Sequence, residues 1–558
     1  MRLRLLLKLS GAILSGLLLA SAYPPLDWYG AAWVAMIPLL AVARFSTPWR
    51  GFGWGFVSGF VFWLCSLAWL LRLAVTGAPV ALAYFSWITL SLYCALFTAL
   101  FALAASWWMN KFGIAALWKR LVFTFAMPVL WAGLEYFRST LFTGFPWNTL
   151  GVSQYSNLAV CQLAEWGGVC LVSALVMLAN CALIMTVLKF GGARVLGRYS
   201  AHPEMLAALL LLALTFSHGG RLFLRPEAPA STVKVIGIQL NVPQLKKWPE
   251  EWAPMIYEKL SKLSELARTS WTEMTIWPET AVPSYALSYD IGCREFVDEM
   301  LANGTPILAG SLDSRMINGS ELYFNSSILF EPSMREPQVY DKRHLVPFGE
   351  YVPLGGLIPA LERLAPVGWS CAAGTNITVF SLEKRPDVRF CSLICFEDAF
   401  PALARQCVRA GARFLINQTN DAWFDGSSGA RQHLAHCVFR CIENRVAALR
   451  VTNSGISCLI DRNGRIVRDL ASARFVTDDG IVVDDPFRSV MTTGFLAAVV
   501  PLADTGAEPT FYTRHGDVFA ASCAAVTVVC FLLVAAWGMG LHWWPRPAGK
   551  DSLPAGDR

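Results

Sequence analysis

The chain has 558 residues, 55% of them hydrophobic and only 15% charged, with 22 Trp, 34 Phe and a net charge of +6. Soluble globular domains carry about 25% charged residues, so this composition excludes an ordinary soluble protein and points to an integral membrane protein with a soluble part. So small a charge surplus on so long a chain, with no basic run interleaved with aromatics, gives no argument for a nucleic-acid partner, and none is expected.

A bilayer-spanning helix needs roughly 20 apolar residues. Such stretches lie near 6–22, 29–45, 51–72, 80–108, 120–138, 161–188 and 203–220, with one more near 517–541. Arg2 and Arg4 before the first apolar run would also suit a secretory signal, but no small-residue cleavage site follows, so it reads as the first helix. Lys and Arg collect in alternate loops: Arg2, Arg4 and Lys8; Arg44 and Arg50; Lys111, Lys119 and Arg120; Lys189, Arg194 and Arg198; then Arg546, Lys550 and Arg558. Positive loops stay in the cytoplasm. Eight helices with both termini inside therefore place the long segment after the seventh helix outside.

That segment, 231–488, changes texture to short β-type runs separated by Gly, Pro, Asn and Asp. Strands are expected at Val233–Leu240, Met274–Trp277, Pro306–Gly310, Asn325–Phe330, Val388–Ile394 and Phe414–Asn417. Helices are expected over Trp252–Arg268 and Phe400–Ala410, and Asn463-Gly464 reads as the turn of a hairpin. Strands and helices mixed over roughly 260 residues predict layered sheets flanked by helices. The chain thus divides into 1–230 (seven membrane helices), 231–488 (an extracytoplasmic catalytic domain), 489–516 (a connector), 517–541 (the eighth helix) and a cytoplasmic tail, 542–558.

Fifteen cysteines are scattered, several inside apolar spans, and no pair has metal-ligand CxxC spacing, so no zinc site is expected, and thioester chemistry at a thiol would need no other cofactor. Their odd number requires at least one thiol outside any intramolecular disulfide, and the others could pair in an oxidising compartment. Three segments carry usable chemistry: Trp-Pro-Glu279-Thr, Tyr-Asp-Lys342-Arg-His and Ile-Cys395-Phe-Glu. A thiol nucleophile needs a proton acceptor or a cation nearby. Glu279 supplies the first and Lys342 the second, and the N–H of Phe396 could add an oxyanion donor. Singly, each has an ordinary reading, as a buried core thiol, a turn carboxylate and a surface ammonium.

Taken in order, Trp-Pro-Glu279, Lys342 and Cys395-Phe-Glu resemble the Glu–Lys–Cys triad of the nitrilase, or carbon–nitrogen hydrolase, superfamily. Lys342-Arg-His-Leu-Val-Pro-Phe-Gly-Glu350-Tyr, Asn420-Asp-Ala-Trp423-Phe, Gln432-His433 with Arg440, and Gly144-Phe-Pro-Trp147-Asn are similar to its membrane branch, the apolipoprotein N-acyltransferases. The resemblance implies an α-helical bundle of eight transmembrane helices plus an α/β, nitrilase-like α-β-β-α sandwich. It implies Glu279 as general base, Lys342 as oxyanion stabiliser and Cys395 as nucleophile, with Glu350, Glu397, Phe396 and Trp248 in supporting or substrate-facing roles. The family often has tyrosine where this chain has Phe396, which loses a hydroxyl and keeps the backbone N–H. The activity implied is transfer of a fatty acyl chain from a phospholipid, with phosphatidylethanolamine the expected donor. The acceptor is the N-terminal amine of a diacylglyceryl apolipoprotein, and the setting is the bacterial inner membrane with catalysis on the periplasmic side.

An apolar, glycine-bearing stretch, Leu354–Trp369, is expected to act as a lid, with Gly355, Gly356 and Gly368 as hinges. Two other functions fit parts of the chain. A membrane-tethered amidase or nitrilase would use the same triad with water as acceptor. A transporter or receptor would be expected to bury charges mid-span; Glu135 and Glu165 fall near span ends instead.

Overall fold

The computed structural model describes residues 2–190, 202–223, 231–284, 290–333, 336–353, 370–470, 475–476, 482–483 and 488–538. The apolar stretches form α1 (Arg2–Ser21), α2 (Ile37–Arg44), α3 (Pro48–Ser66), α4 (Val80–Trp107), α5 (Leu117–Thr140), α6 (Ala164–Phe190) and α7 (Pro203–Phe223). The expected lid, Leu354–Trp369, lies outside the described residues.

The count of eight spanning helices is not reproduced by length and apolarity. Five helices meet those criteria among the described residues, and a sixth does if Pro48–Ser66 and Ala68–Ala74, bent by 47°, form one span. The second expected span is a short 3-10 turn, Tyr29–Trp33, followed by a helix that restarts with Pro38 in its first turn. A proline there forfeits no intrahelical bond. The last helix, α12 (Val518–Gly538), has 21 residues, and its described apolar part covers Val518–Leu533.

Between α7 and α12 lie two six-stranded sheets. The first runs in the order β14-β1-β2-β3-β4-β5, with β1 (Thr232–Gln239), β2 (Met274–Ile276), β3 (Ile307–Ile317), β4 (Ser320–Phe330), β5 (Gln338–Asp341) and β14 (Gly494–Pro501). The second runs β11-β10-β9-β8-β7-β6, with β6 (Phe380–Leu382), β7 (Arg385–Ile394), β8 (Phe414–Thr419), β9 (Ala447–Thr452), β10 (Cys458–Ile460) and β11 (Ile466–Asp469). A separate pair, β12 (Phe475–Val476) and β13 (Val482–Val483), completes the strands described. In each sheet a parallel triple (β1-β2-β3 and β7-β8-β9) is flanked by antiparallel neighbours. The segment read as a connector differs from expectation. Its Phe495-Leu-Ala-Ala-Val-Val run pairs antiparallel with β1 from Thr232↔Pro501 to Gln239↔Gly494, so the sandwich extends past 488.

Three apolar layers follow from strand alternation. Val233, Val235, Ile276 and Leu308 meet Phe390, Phe414, Ile416 and Leu449 between the sheets. The outer face of the first sheet (Ile236, Ile238, Ala309) packs under α8 (Ala253–Ala267) and α9 (Ile291–Leu301) through Ile256, Leu260 and Val297. The outer face of the second sheet (Cys391, Leu393, Leu415, Ala448) packs under α10 (Pro401–Arg409) and α11 (Gly429–Asn444). That third layer is continuous with the membrane bundle: Leu434, Val438 and Ile442 share one core with Trp147, Val169, Val172 and Met177.

Polar clasps fix this junction. Trp147 Nε1 donates to Gln432 Oε1 at 2.8 Å, and Gln432 Nε2 donates to the carbonyls of Pro24 and Ser66 at 3.1 Å each. Glu443 accepts from the N–H of Val169 at 3.2 Å, where α6 restarts after the Gly167-Gly168 break, so a carboxylate of the sandwich meets the positive end of a bundle helix. Glu165, at the end of a span, pairs with Arg445 at 2.7 Å. Gln432→Leu strands the Trp147 N–H and two buried carbonyls. It is expected to cost about 1–3 kcal/mol, visible as a lower unfolding temperature of the detergent-solubilised chain.

Candidate active site

The parallel strands of both sheets end at one edge, and the loops beyond them bring the reactive groups together. Leaving β2, the chain turns at Pro278-Glu279-Thr280, with Thr280 at φ +44°. Gly310 on β3 lets this turn close in: a Cβ there would sit 2.2 Å from the Pro278 carbonyl. Ala281 N–H bonds the Gly310 carbonyl at 2.8 Å, and Lys247 Nζ donates to the Glu279 carbonyl at 3.0 Å. Glu279 is 6% exposed, so the solvent it loses must be replaced by protein donors.

Those donors come from β4 and the segment after β5. Asn325 Nδ2 lies 2.8 Å from Glu279 Oε1 and 2.8 Å from Glu350 Oε1. Lys342 Nζ spans the same two carboxylates, at 3.5 Å and 2.8 Å. Glu350 also accepts from Val346 N–H at 2.8 Å, which closes its own loop. Burial works against the Lys342 ammonium, but Glu350 and then Glu279 outweigh it and hold its pKa well above the usual lysine range. Lys342 is a fixed cation at 1% exposure.

Cys395 follows β7 at φ +53°, in the left-handed region where a non-glycine residue is strained. Two donors hold its carbonyl: Asn417 Nδ2 at 3.1 Å and His433 Nε2 at 3.2 Å. Glu397 ties this turn to the lysine segment. One oxygen accepts from Ile394 N–H at 2.8 Å, and the other from Arg343 N–H at 2.7 Å and His344 N–H at 3.1 Å. Tyr340 Oη donates to both at 2.9 Å. Glu397 therefore braces two loops rather than facing a reacting group. Burial pushes the Cys395 thiol far up, the Glu279 charge adds to this, and Lys342 and a hydrogen bond with Thr419 oppose it. Burial thus favours the protonated thiol, and any nucleophilic role would call for a proton acceptor close by. All fifteen cysteines, Cys395 among them, are free.

Phe396 is half-buried against Trp147 and Phe400, ring centroids 5.9 and 5.1 Å away, and so contacts the bundle. Trp248 is half-buried on the loop after β1, beside Lys247. That loop is clipped down by Asn420 to Gln244 at 2.8 Å and by Asn453 to the Val242 carbonyl at 2.9 Å. Sequence reasoning missed Asn325 and Lys247. The first is one polar residue in a strand, and the second sits in a Lys-Lys-Trp run that reads as surface.

Lys247 is 3% exposed, and burial lowers its pKa to about 8, against the pull of Glu279 and Cys395. In the unfolded chain it keeps its proton to about 10.5. The folded state therefore gives up this proton first, and stability rises with pH across that window. Relative to Lys247→Met, the wild-type chain is expected to gain stability between pH 8 and 10.5, by at most about 3 kcal/mol, in paired thermal unfolding.

A family model described as the apolipoprotein N-acyltransferase N-terminal domain matches residues 15–182, and one described as carbon-nitrogen hydrolase matches 238–475. An apolipoprotein N-acyltransferase of Geobacter metallireducens is 35% identical, over 93% of this chain and 93% of its own length. One of Caulobacter vibrioides is 30% identical, over 82% and 85%, and one of Chlorobaculum tepidum 28%, over 94% and 96%. A solved nitrilase-superfamily protein of Saccharomyces cerevisiae aligns at 16% identity and a TM-score of 0.34, over 50% of this chain and 92% of its own.

Proposed function

This chain belongs to the apolipoprotein N-acyltransferase family, and from that premise we propose how its own residues carry out the transfer. The enzyme moves a fatty acyl chain onto the N-terminal amine of a lipoprotein's diacylglyceryl-cysteine. The donor is a phospholipid, phosphatidylethanolamine in our reading. Glu279 takes the Cys395 proton as sulfur attacks the sn-1 ester carbonyl. The tetrahedral oxyanion faces Lys342 and the Phe396 N–H. Collapse breaks the ester C–O bond, Glu279 returns the proton to the leaving oxygen, and lysophospholipid departs from a thioester. The incoming amine then attacks that thioester and loses a proton to Glu279. Cleavage of the C–S bond restores the thiol and leaves an amide, a two-step exchange with ping-pong kinetics.

The observation that carries this reading is the meeting of Glu279, Lys342 and Cys395 at one sheet edge of a sandwich whose outer wall is shared with an apolar bundle. Acyl chains hold to a bilayer by about 0.8 kcal/mol per buried CH₂, so a donor is best met where the site adjoins lipid. We read all eight apolar segments as crossing the inner membrane, the broken second and third included. Residues 1–230 and 517–541 then form the base, and the domain from 231 stands on the periplasmic side. Glu350, Glu397, Phe396 and Trp248 act in support, the first two by holding loops and the last two at the rim.

The test is mass spectrometry of the purified chain after incubation with phosphatidylethanolamine of defined acyl composition. One acyl group is expected on the Cys395 peptide, discharged when a diacylglyceryl lipopeptide is added. Release of free fatty acid with no discharge to the lipopeptide would favour the hydrolase instead.

A further inference from the structure

The peptide between Cys395 and Phe396 has two ends, and only one faces the reaction. Its carbonyl points into a buried polar cluster and accepts from Asn417 Nδ2 at 3.1 Å and His433 Nε2 at 3.2 Å. Both side chains are about 1% exposed. His433 Nδ1 lies 2.9 Å from Asp421 and its Nε2 3.0 Å from Asp398. Arg450 spans the same two carboxylates, at 3.0 Å to Asp398 and 2.8 Å to Asp421, and donates to Asn417 Oδ1 at 2.7 Å. Two carboxylates and one guanidinium leave one negative charge, and an imidazolium at His433 balances it.

We propose that His433 and Asn417 are positioning residues that strengthen the oxyanion site, by loading the carbonyl end of the Cys395–Phe396 peptide so that its N–H becomes a better donor.

The physical basis is peptide resonance. A cation and an amide pulling on the oxygen shift electron density away from nitrogen. The Phe396 N–H then carries more positive charge before any substrate arrives, and the same two bonds hold the strained Cys395 turn in place. Burial opposes charge on His433, but Asp398 and Asp421 outweigh it against Arg450 and raise its pKa to about 9. The two carboxylates thus favour the imidazolium, against Arg450 Nη2, which lies 2.9 Å from Nδ1. On the same helix, His436 is held neutral by burial and by Arg440, and its ring lies tilted against Trp147, centroids 5.0 Å apart.

This inference rests on the thioester reading above, and one experiment separates the two. The enzyme is acylated from a phospholipid carrying a ¹³C-labelled carbonyl, without acceptor, and the thioester band is read by isotope-edited infrared difference. In the wild type, the band is expected well below that of a free thioester. In His433→Gln, which keeps an N–H and loses the charge, and in Asn417→Ala, it moves back towards the free value. Thioester formation slows about 10-fold, less than the 10²–10³ lost with a direct donor. A folded variant with an unshifted band and a wild-type rate overturns the proposal. Absence of any adduct in the wild type overturns the underlying reading instead. Should neither variant fold, the wild-type band is followed from neutral to alkaline pH. It must retreat as His433 loses its proton near 9, and a flat response overturns the proposal. The charged groups facing His433 along that titration are Asp398, Asp421 and Arg450.

Discussion

Cys395→Ala is expected to yield a folded protein that takes up no acyl group from phospholipid and passes none to a lipopeptide. The substitution removes a single atom from a half-buried position. Losing a catalytic nucleophile costs roughly 10⁴–10⁶ in turnover, which places the residue below detection in a gel-shift or mass assay. Stability is expected to fall by about 1 kcal/mol, since the thiol packs against the inter-sheet core and gives up its hydrogen bond with Thr419. Cys395→Ser makes the contrast sharper. Its hydroxyl is a far weaker acid than the thiol, so at most a slow oxygen ester should accumulate at the same peptide. A Cys395→Ala protein with full transfer activity would remove the thioester from the mechanism altogether.

The second large effect is expected of Lys342→Met. The side chain is 1% exposed and its ammonium bridges Glu279 and Glu350. Removing the cation leaves two carboxylates sharing one amide, that of Asn325. Like charges this close resist being ionised together, so the pair takes up a proton and the base is compromised along with the oxyanion site. Activity should fall by at least about 10³, more than the 10²–10³ typical of one oxyanion donor. Breaking a buried ion pair from one side also costs about 3–5 kcal/mol. Both losses are measurable on one preparation, by acyl-adduct formation and by thermal unfolding. Near-normal adduct formation in a folded Lys342→Met protein would rule out any role for this ammonium at the transition state.

The elements legible in the sequence are those whose signal is local. The runs at Val233, Met274, Val388 and Phe414 announce strands by their own β-branched and aromatic residues, and the Asn463-Gly464 turn fixes a hairpin. What the sequence hid depends on partners far along the chain. Asn325 becomes part of the site only because Glu279 and Glu350 arrive beside it. Lys247 reads as surface until its loop folds under Asn420 and Asn453. The strand Gly494–Pro501 needs β1, more than 250 residues earlier in the chain, to give it an edge. The limits of the spans are hard to read for a different reason. An apolar run does not say where the helix within it breaks, and Pro38 and the bend after Ser66 decide that.

The shared wall between the second sheet and the bundle has a consequence for how this enzyme can be divided. Helix α11 is buried along almost its whole length, one side against strands and the other against α6. A fragment beginning at Ser231 would therefore not be a soluble enzyme released from its anchor. It would carry a naked oily flank where the bundle used to be, and surfaces of that kind drive chains to clump. Severing the head from its base removes a side of its own interior.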